Sequence, residues 1–154
     1  MRTRIRVKRR GPLKRWTFLR RTAEKISSAL GCPDNLELSI LLTGDIEIQE
    51  LNRKYRGKDE PTDVLSFPQH DDFTCKLDIN AGMPFLLGDV VISVHRAAEQ
   101  AAELGVTLNE ELQRLLVHGF LHLAGFDHEK GEKERRRMRN KEKYIMARLN
   151  NKAR

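Results

Sequence analysis

The chain has little of what marks disulfide-rich, membrane-spanning or secreted proteins. Its two cysteines, Cys32 and Cys75, lack the close spacing of a metal-binding or redox pair, so we expect plain thiols in a reducing compartment, with pairing left open. No apolar run reaches the length of about 18 residues that a transmembrane helix needs. No apolar segment of a signal peptide follows the basic N-terminus. We therefore predict a cytoplasmic protein without a membrane partner.

Aromatic residues are also scarce, at 6% of the chain. They are not interleaved with basic residues in the pattern of the RNA-recognition sheet, so the sequence does not support that type of RNA-binding module. Internal repeats and low-complexity linkers are absent as well. A length of 154 residues suits one domain whose core is large enough to need no disulfides. We predict a single domain that spans residues 1–154.

Acidic residues are missing from the first 23 positions, which hold ten arginines and lysines. Residues 129–154 carry eleven bases against four acids, and residues 24–128 carry eight against eighteen, so the ends have net charges of +10 and +7 and the middle has −10. Taken singly, each basic run is more typical of a solvated surface. Taken together, the two ends favour contact with a polyanion such as RNA.

Hydrophobic periodicity predicts an α+β fold, with a mixed sheet of about four strands and helices packed on it. Thr107 and Glu110 have the spacing of a capping box at the start of the helix that carries His118 and His122. The strands are predicted at residues 3–7, 36–42, 64–67 (suited to an edge or to a short strand) and 86–94 (suited to a buried position). The other helices are predicted at residues 13–30, 45–55 (with Asp45 as the N-cap), 96–104 and 129–149.

The stretch HGFLHLAGFDHE, residues 118–129, has the histidine spacing of a metal site. His118 and His122 are four residues apart, so on a helix they lie one turn from each other on the same face. Gly125 suits the left-handed position that ends a helix, after which the chain can bring His128 back toward the same point. Three neutral imidazoles suit zinc, and a fourth position left to water is typical of a catalytic site. The pattern predicts one zinc ion per chain, bound by His118, His122 and His128.

Gly119 separates this stretch from the zinc peptidases. The spacing of the histidines and Gly125 also matches the peptidase pattern HExxHxxGxxH. There the glutamate after the first histidine takes a proton from the metal-bound water, whereas Gly119 has no side chain. The sequence therefore keeps the metal site, excludes peptidase chemistry and names no general base.

Three stretches of the sequence match motifs of one known family. HGFLHLAGFDHE resembles the HGxLHLxGyDH motif of the YbeY family. The members of that family are bacterial metal-dependent endoribonucleases. LNRKYRGKDEPTDVLSFP, residues 51–68, resembles the family's NxxYRxKDxPTDVLSFP segment, and LGDVVIS, residues 87–93, resembles its LGDIxI strand. Phe126 departs from the motif, because tyrosine is usual there. The basic N-terminus and residues 70–83 match no motif of the family.

The resemblance implies a hydrolase that cuts single-stranded RNA with the help of zinc. Its implied roles are ribosomal RNA processing, including late 3′-end maturation of small-subunit RNA, and ribosome quality control, with ribosomal RNA and the small subunit as partners. It also implies a zincin-like fold in which the metal-bearing helix, near the C-terminus, packs beside the sheet. His118, His122 and His128 would be the zinc ligands, and His118 and Arg56 the catalytic residues.

Arg56 has a chemical reason to be essential. Its planar guanidinium matches the geometry of phosphate, so we expect it to bind substrate across the cleft from zinc. Asp63 and Ser66 are candidates for capping the loop around Arg56. Asp127 is either a turn residue or an acceptor for a ligand N–H, with the turn slightly favoured.

Two other functions remain open from the sequence. One is a metal-dependent hydrolase of a substrate other than RNA, which Gly119 does not exclude. The other is a non-catalytic ribosome-assembly factor with structural zinc, although a structural site normally closes the fourth position with a protein ligand. His70 and His95 lack a matching spacing and are not expected to bind the metal.

Overall fold

A mixed four-stranded sheet forms the centre of the fold. In the computed structural model, which describes residues 1–7, 16–70, 83–126 and 130–150, the strands lie in the order β1-β2-β4-β3. β1 and β4 run parallel to β2, and β3 runs antiparallel to β4. The α+β prediction is confirmed, with the third strand at an edge and the fourth in the interior. The strands are β1 (Arg2–Val7), β2 (Leu36–Thr43), β3 (Val64–Pro68) and β4 (Phe85–Ser93).

The described residues form five helices. The fourth begins at the predicted capping box, where the Thr107 hydroxyl accepts a hydrogen bond from the Glu110 N–H at 3.1 Å. Within the described ranges, no helix combines the length and the hydrophobicity needed to cross a membrane. The helices are α1 (Phe18–Ala29), α2 (Asp45–Arg56), α3 (Val94–Leu104), α4 (Leu108–Leu123) and α5 (Glu132–Asn150).

The helices divide between the two faces of the sheet. Leu38 and Ile40 of β2 point into the larger core, to which α1, α3, α4 and α5 contribute. Leu41 belongs to a smaller core on the other face, to which α2 contributes Ile48. Because side chains alternate along a strand, α2 and the histidine-bearing helix α4 lie on opposite faces.

Several boundaries differ from the predictions by a few residues. The N-cap of α2 is Gly44, which has extended backbone, so Asp45 is the first helical residue and not the cap. α3 begins two residues early, because the Ser93 hydroxyl accepts a hydrogen bond from the Arg96 N–H and caps the helix. α1 begins at Phe18, whereas the prediction placed its start at residue 13; residues 13–15 lie outside the described part of the chain.

Cys32 is disulfide-bonded, so the expectation of a plain thiol is wrong for this residue. A disulfide requires two cysteines whose Cα atoms lie within about 7 Å of each other. Spacing along the sequence does not reveal such proximity. Cys75 lies outside the described residues.

Candidate metal and phosphate site

His118 and His122 lie one helical turn apart on α4 with their rings close together. Their Nε2 atoms are 3.2 Å apart, and their ring centroids are 4.8 Å apart. The His118 side chain is 28% exposed, so solvent reaches the pair. The opposite side of α4 is buried in the larger core through residues such as Leu116 and Phe120. The helix therefore presents two imidazoles to solvent from a well-packed base.

The spacing of these two nitrogens fits a shared metal ion. Bonds of about 2.0 to 2.1 Å to a tetrahedral zinc ion place two nitrogen ligands roughly 3.3 Å apart. The two Nε2 atoms are 3.2 Å apart. The third predicted ligand, His128, and its neighbour Asp127 lie outside the described residues, and no cluster of three potential metal ligands occurs within them. The pair is compatible with zinc, and the third ligand stays a prediction.

A carboxylate from the last helix contacts the other side of the His118 ring. Glu142 Oε1 on α5 lies 2.6 Å from His118 Nδ1, a short distance that is typical of hydrogen bonds to an ionised group. The Glu142 side chain is 26% exposed. His118 therefore contacts Glu142 through one ring nitrogen and faces His122 with the other.

Gly119 allows α4 to lie close against the sheet. A Cβ atom at this position would be 2.8 Å from Cγ1 of Val90 and 3.1 Å from Oγ of Ser66. The Ser66 hydroxyl donates to the Gly119 carbonyl at 3.0 Å, so Ser66 joins β3 to α4 and does not cap the loop around Arg56. The glutamate of the zinc peptidases has no space at this position, which adds a steric reason to the chemical one.

An acid–base pair anchors the first half of α4. Glu111 is 1% exposed, and Arg114 donates to both of its carboxylate oxygens through Nε and Nη2. The hydrogen bond that Arg114 donates to Glu111 raises the pKa of Arg114 above its ordinary value, although burial acts in the opposite direction. Arg114 thus remains cationic one turn before His118, and the charge of Glu142 contributes to the same rise.

Arg56 is the last residue of α2, and its neighbours hold this end of the helix in place. Gly57 follows in the left-handed region with φ of 70°, and its N–H donates to the Arg53 carbonyl at 3.2 Å. The buried amide of Asn52 donates to the Glu60 carbonyl at 2.9 Å, so the next loop folds back on the helix. Arg56 itself is exposed.

Arg56 and the histidine pair flank the edge strand β3 from opposite faces of the sheet. Tyr55, next to Arg56, packs edge-on against Phe67 with ring centroids 5.4 Å apart. Ser66, the preceding residue of β3, instead contacts Gly119 of α4. Since successive strand residues point to opposite faces, the edge strand separates the end of α2 from α4. The role of Arg56 in phosphate binding stays a prediction.

The two basic ends of the chain lie in different places. Arg2, Arg4 and Arg6 are exposed on β1, at the edge of the sheet farthest from β3. The bases of α5 belong to a helix that packs directly on α4. One of them, Arg137, lies over the Phe126 ring at 4.7 Å from its centroid, so the residue that departs from the motif contacts a cation.

Other residues singled out in the sequence have structural partners. His95 pairs with Glu99 at 3.0 Å, and the His70 ring stacks on Phe85 at 4.2 Å between centroids. Asp63 accepts a hydrogen bond from the next backbone N–H at 2.8 Å and so stabilises the entry to β3. This contact supports the capping role that the sequence suggested for Asp63.

Glu142 was not identified from the sequence, although a signal was present. It lies four residues after Met138 and three before Ile145, both of which are buried, so it occupies the apolar face of α5. A carboxylate on such a face needs a partner, because burying an unpaired charge is costly. His118 is that partner.

The chain is similar to known proteins along most of its length. The family model described as Endoribonuclease YbeY matches residues 10–150. Endoribonuclease YbeY of Aquifex aeolicus is 51% identical over 127 residues, which are 82% of this chain and 79% of that protein. The same-named protein of Geobacter sulfurreducens is 50% identical over 135 residues, or 86% and 85% of the two chains. The solution structure of a Thermotoga maritima protein, 30% identical, superposes with a TM-score of 0.63 and covers 96% of this chain and 88% of that one.

Proposed function

This chain belongs to the endoribonuclease YbeY family, and we propose from this that it is a zinc-dependent endoribonuclease that cuts single-stranded RNA. In this proposal it acts in the cytoplasm on ribosomal RNA of the small subunit, in 3′-end maturation and in ribosome quality control. It binds one zinc ion per chain through His118, His122 and His128, in a zincin-like arrangement.

The observation that carries the metal site is the approach of two imidazole nitrogens. The Nε2 atoms of His118 and His122 lie 3.2 Å apart, and each of them is an acceptor unless it carries a proton. Two lone pairs at that distance repel each other unless a proton or a cation lies between them. A shared cation gives both nitrogens a favourable partner, which supports zinc at this point.

The reaction that these residues support is phosphodiester cleavage. When bound, zinc supplies Lewis acidity toward phosphate and activates a nucleophile. Arg56 donates two parallel N–H groups to non-bridging oxygens and neutralises the negative charge that grows there in the transition state. Gly119 leaves the position beside His118 without a carboxylate, so the peptidase route to a general base is closed.

The preference for RNA is supported by the charge near the site. α5 packs on the histidine helix and carries exposed bases that include Arg135, Arg136 and Arg139. When clustered basic side chains contact phosphates, the counterions condensed on the nucleic acid are released, and this release stabilises binding of the strand. The edge strand β3 is then the place at which one RNA strand can reach both Arg56 and the histidine pair.

Zinc analysis combined with a nuclease assay tests this proposal. The full chain should contain about one zinc ion and should cut a single-stranded RNA faster than a duplex of the same sequence. Changing both His118→Ala and His122→Ala should remove the zinc and the cleavage together. The exposed His95, which pairs with Glu99, provides the control, because His95→Ala should keep both properties.

Three results would contradict the proposal. Near-stoichiometric zinc in the double variant would show that the metal site is elsewhere. Undiminished cleavage without zinc would show that the metal is not catalytic. A zinc-loaded chain that cuts neither RNA would leave a hydrolase of another substrate, or an assembly factor with structural zinc, as the better assignment.

A further inference from the structure

Helix packing holds Glu142 against the histidine pair. Met138 and Ile145 are 1% and 0% exposed, and they lock α5 into the larger core on the same helical face as Glu142. The carboxylate therefore has little freedom to leave the position in which its Oε1 atom is 2.6 Å from His118 Nδ1. This contact joins two helices across 24 residues of sequence.

The hydrogen bond determines which nitrogen of His118 carries the proton. An ionised carboxylate can only accept, so Nδ1 must be the donor. In a neutral imidazole with the proton on Nδ1, the lone pair is on Nε2. That is the nitrogen that lies 3.2 Å from His122 Nε2. The contact with Glu142 therefore leaves the lone pair of His118 on Nε2, the nitrogen that faces His122 Nε2.

The surroundings favour a strong contact. The side chains of His118 and Glu142 are 28% and 26% exposed, so water screens their interaction only in part. Arg114 lies near enough for the charge of Glu142 to raise its pKa. The carboxylate therefore has a cation in its neighbourhood as well as an N–H donor.

We propose that Glu142 is a positioning residue for the metal site. It fixes the tautomer and the orientation of His118, so that Nε2 presents its lone pair to the metal, without itself contacting the metal or the RNA. This inference rests on the proposed zinc site and adds to it a residue from a helix that carries none of the three predicted ligands. Loss of such a hydrogen-bond partner typically weakens metal binding by 10-fold to 100-fold.

The experiment compares zinc affinity in variants of the full chain by competition with a chromogenic chelator. Glu142→Met keeps the length of the side chain on an apolar helix face but has no acceptor, so zinc affinity should fall about 10-fold to 100-fold. Glu142→Gln retains an acceptor oxygen and should recover part of that loss. Glu134→Met is the matched control on α5, because Glu134 is 33% exposed and pairs with Arg137, not with a histidine. It should bind zinc as the unmodified chain does.

Nitrogen NMR of the imidazoles provides a second readout that does not depend on activity. In the unmodified chain His118 should carry its proton on Nδ1, and Glu142→Met should shift the ring toward a mixture of tautomers. If Glu142→Met does not fold, Glu142→Ala, which also lacks an acceptor, replaces it.

Zinc affinity within twofold of the unmodified chain in a folded Glu142→Met variant, with Nδ1 still protonated, would overturn the inference. This test of Glu142 can fail or succeed independently of the test of the proposed nuclease function. A chain that binds zinc but cuts no RNA would contradict the proposed nuclease function. The role of Glu142 would then still be tested by the zinc affinity of its variants and by the tautomer of His118. If the unmodified chain cuts RNA and Glu142→Met binds zinc with unchanged affinity, only the inference about Glu142 is contradicted.

Discussion

Val90 occupies the space into which any side chain at position 119 would point. Its Cγ1 atom is 2.8 Å from the place of a Cβ on Gly119, and its Cγ2 atom is 3.2 Å from it. Val90 is fully buried in the interior strand β4, and its branched side chain has few rotamers in which to move away. The close approach of α4 to the sheet, and with it the position of His118 next in sequence, therefore depends on a glycine.

Gly119→Ala should destabilise the protein even though alanine is the better helix former. The gain in helix propensity is about 1 kcal/mol, whereas overpacking of a core costs about 1 to 3 kcal/mol. With Val90 unable to move, the steric cost should exceed the gain, for a net loss of up to about 2 kcal/mol in the free energy of unfolding. Urea denaturation followed by circular dichroism measures it.

Val90→Ala provides the control for this prediction. In the Val90→Ala background the space opposite position 119 is open, so Gly119→Ala should become neutral or stabilising there. The double-mutant cycle should then show a coupling energy of about 1 kcal/mol or more. A stabilising effect of Gly119→Ala in the unmodified background would show that α4 can move away from β4 without cost.

Much of the fold could be predicted because its signals are local. The spacing of Thr107 and Glu110 predicted the start of α4, and the capping hydrogen bond between them is present at 3.1 Å. Pro68 indicated an edge strand or a short one, because proline has no N–H to donate to a neighbouring strand, and β3 is at an edge. The face on which α2 packs was not predictable, since it depends on how the chain crosses between distant strands.

The site shows the same division between local and distant signals. His118 and His122 could be paired from sequence because helical spacing alone brings them together. Glu142 could not be assigned to His118, because the contact depends on how α5 packs across α4. Its position on the apolar face of α5 indicated a buried partner without saying which one.

Arg114→Met should destabilise the protein much more than Arg135→Met. Both arginines pair with a glutamate three residues earlier on a helix, but Glu111 is 1% exposed whereas the Glu132 side chain is 65% exposed. Removing Arg114 leaves a buried carboxylate without its partner, at a cost on the order of 3 kcal/mol. The exposed pair contributes about 0 to 1 kcal/mol.

Equilibrium urea unfolding of both variants checks this difference. Arg114→Met should have the lower midpoint, with little change in the slope of the transition. Equal midpoints for the two variants would mean that water reaches Glu111 once Arg114 is absent.

Arg56→Ala should lower the rate of RNA cleavage by on the order of 10²-fold to 10³-fold, as expected for the loss of one preorganised donor to a transition state. Arg56→Lys should recover only part of the rate, because an ammonium group cannot form two parallel hydrogen bonds. Single-turnover kinetics on a single-stranded RNA measure both effects.

Zinc content and thermal stability should remain nearly unchanged in Arg56→Ala, since Arg56 is exposed at the end of α2 and away from both cores. Arg53, also exposed and one turn earlier on the same helix, provides the control: Arg53→Ala should cleave RNA at close to the normal rate. A folded, zinc-loaded Arg56→Ala variant that cleaves at the normal rate would remove Arg56 from the site.

The basic residues of α5 should contribute more to RNA binding than those of β1, because only α5 packs on the histidine helix. Arg135, Arg139 and Lys143 follow one another at intervals of four residues on α5, whereas Arg2, Arg4 and Arg6 alternate along β1. Changing each set to serine removes the same three charges. Each lost phosphate contact should reduce the dependence of log affinity on log salt by about 0.7 for single-stranded RNA.

The α5 triple variant should therefore bind single-stranded RNA with a salt dependence that is flatter by up to about 2, whereas the β1 triple variant should resemble the unmodified chain. Titration of a fluorescent RNA between about 50 and 200 mM salt measures both slopes. Because the two variants have the same net charge, a difference between them reports where the RNA lies and not how basic the protein is. Equal slopes in all three chains would assign the charged ends to solvated surface, and a flatter slope in the β1 variant alone would place the RNA on the opposite edge of the sheet.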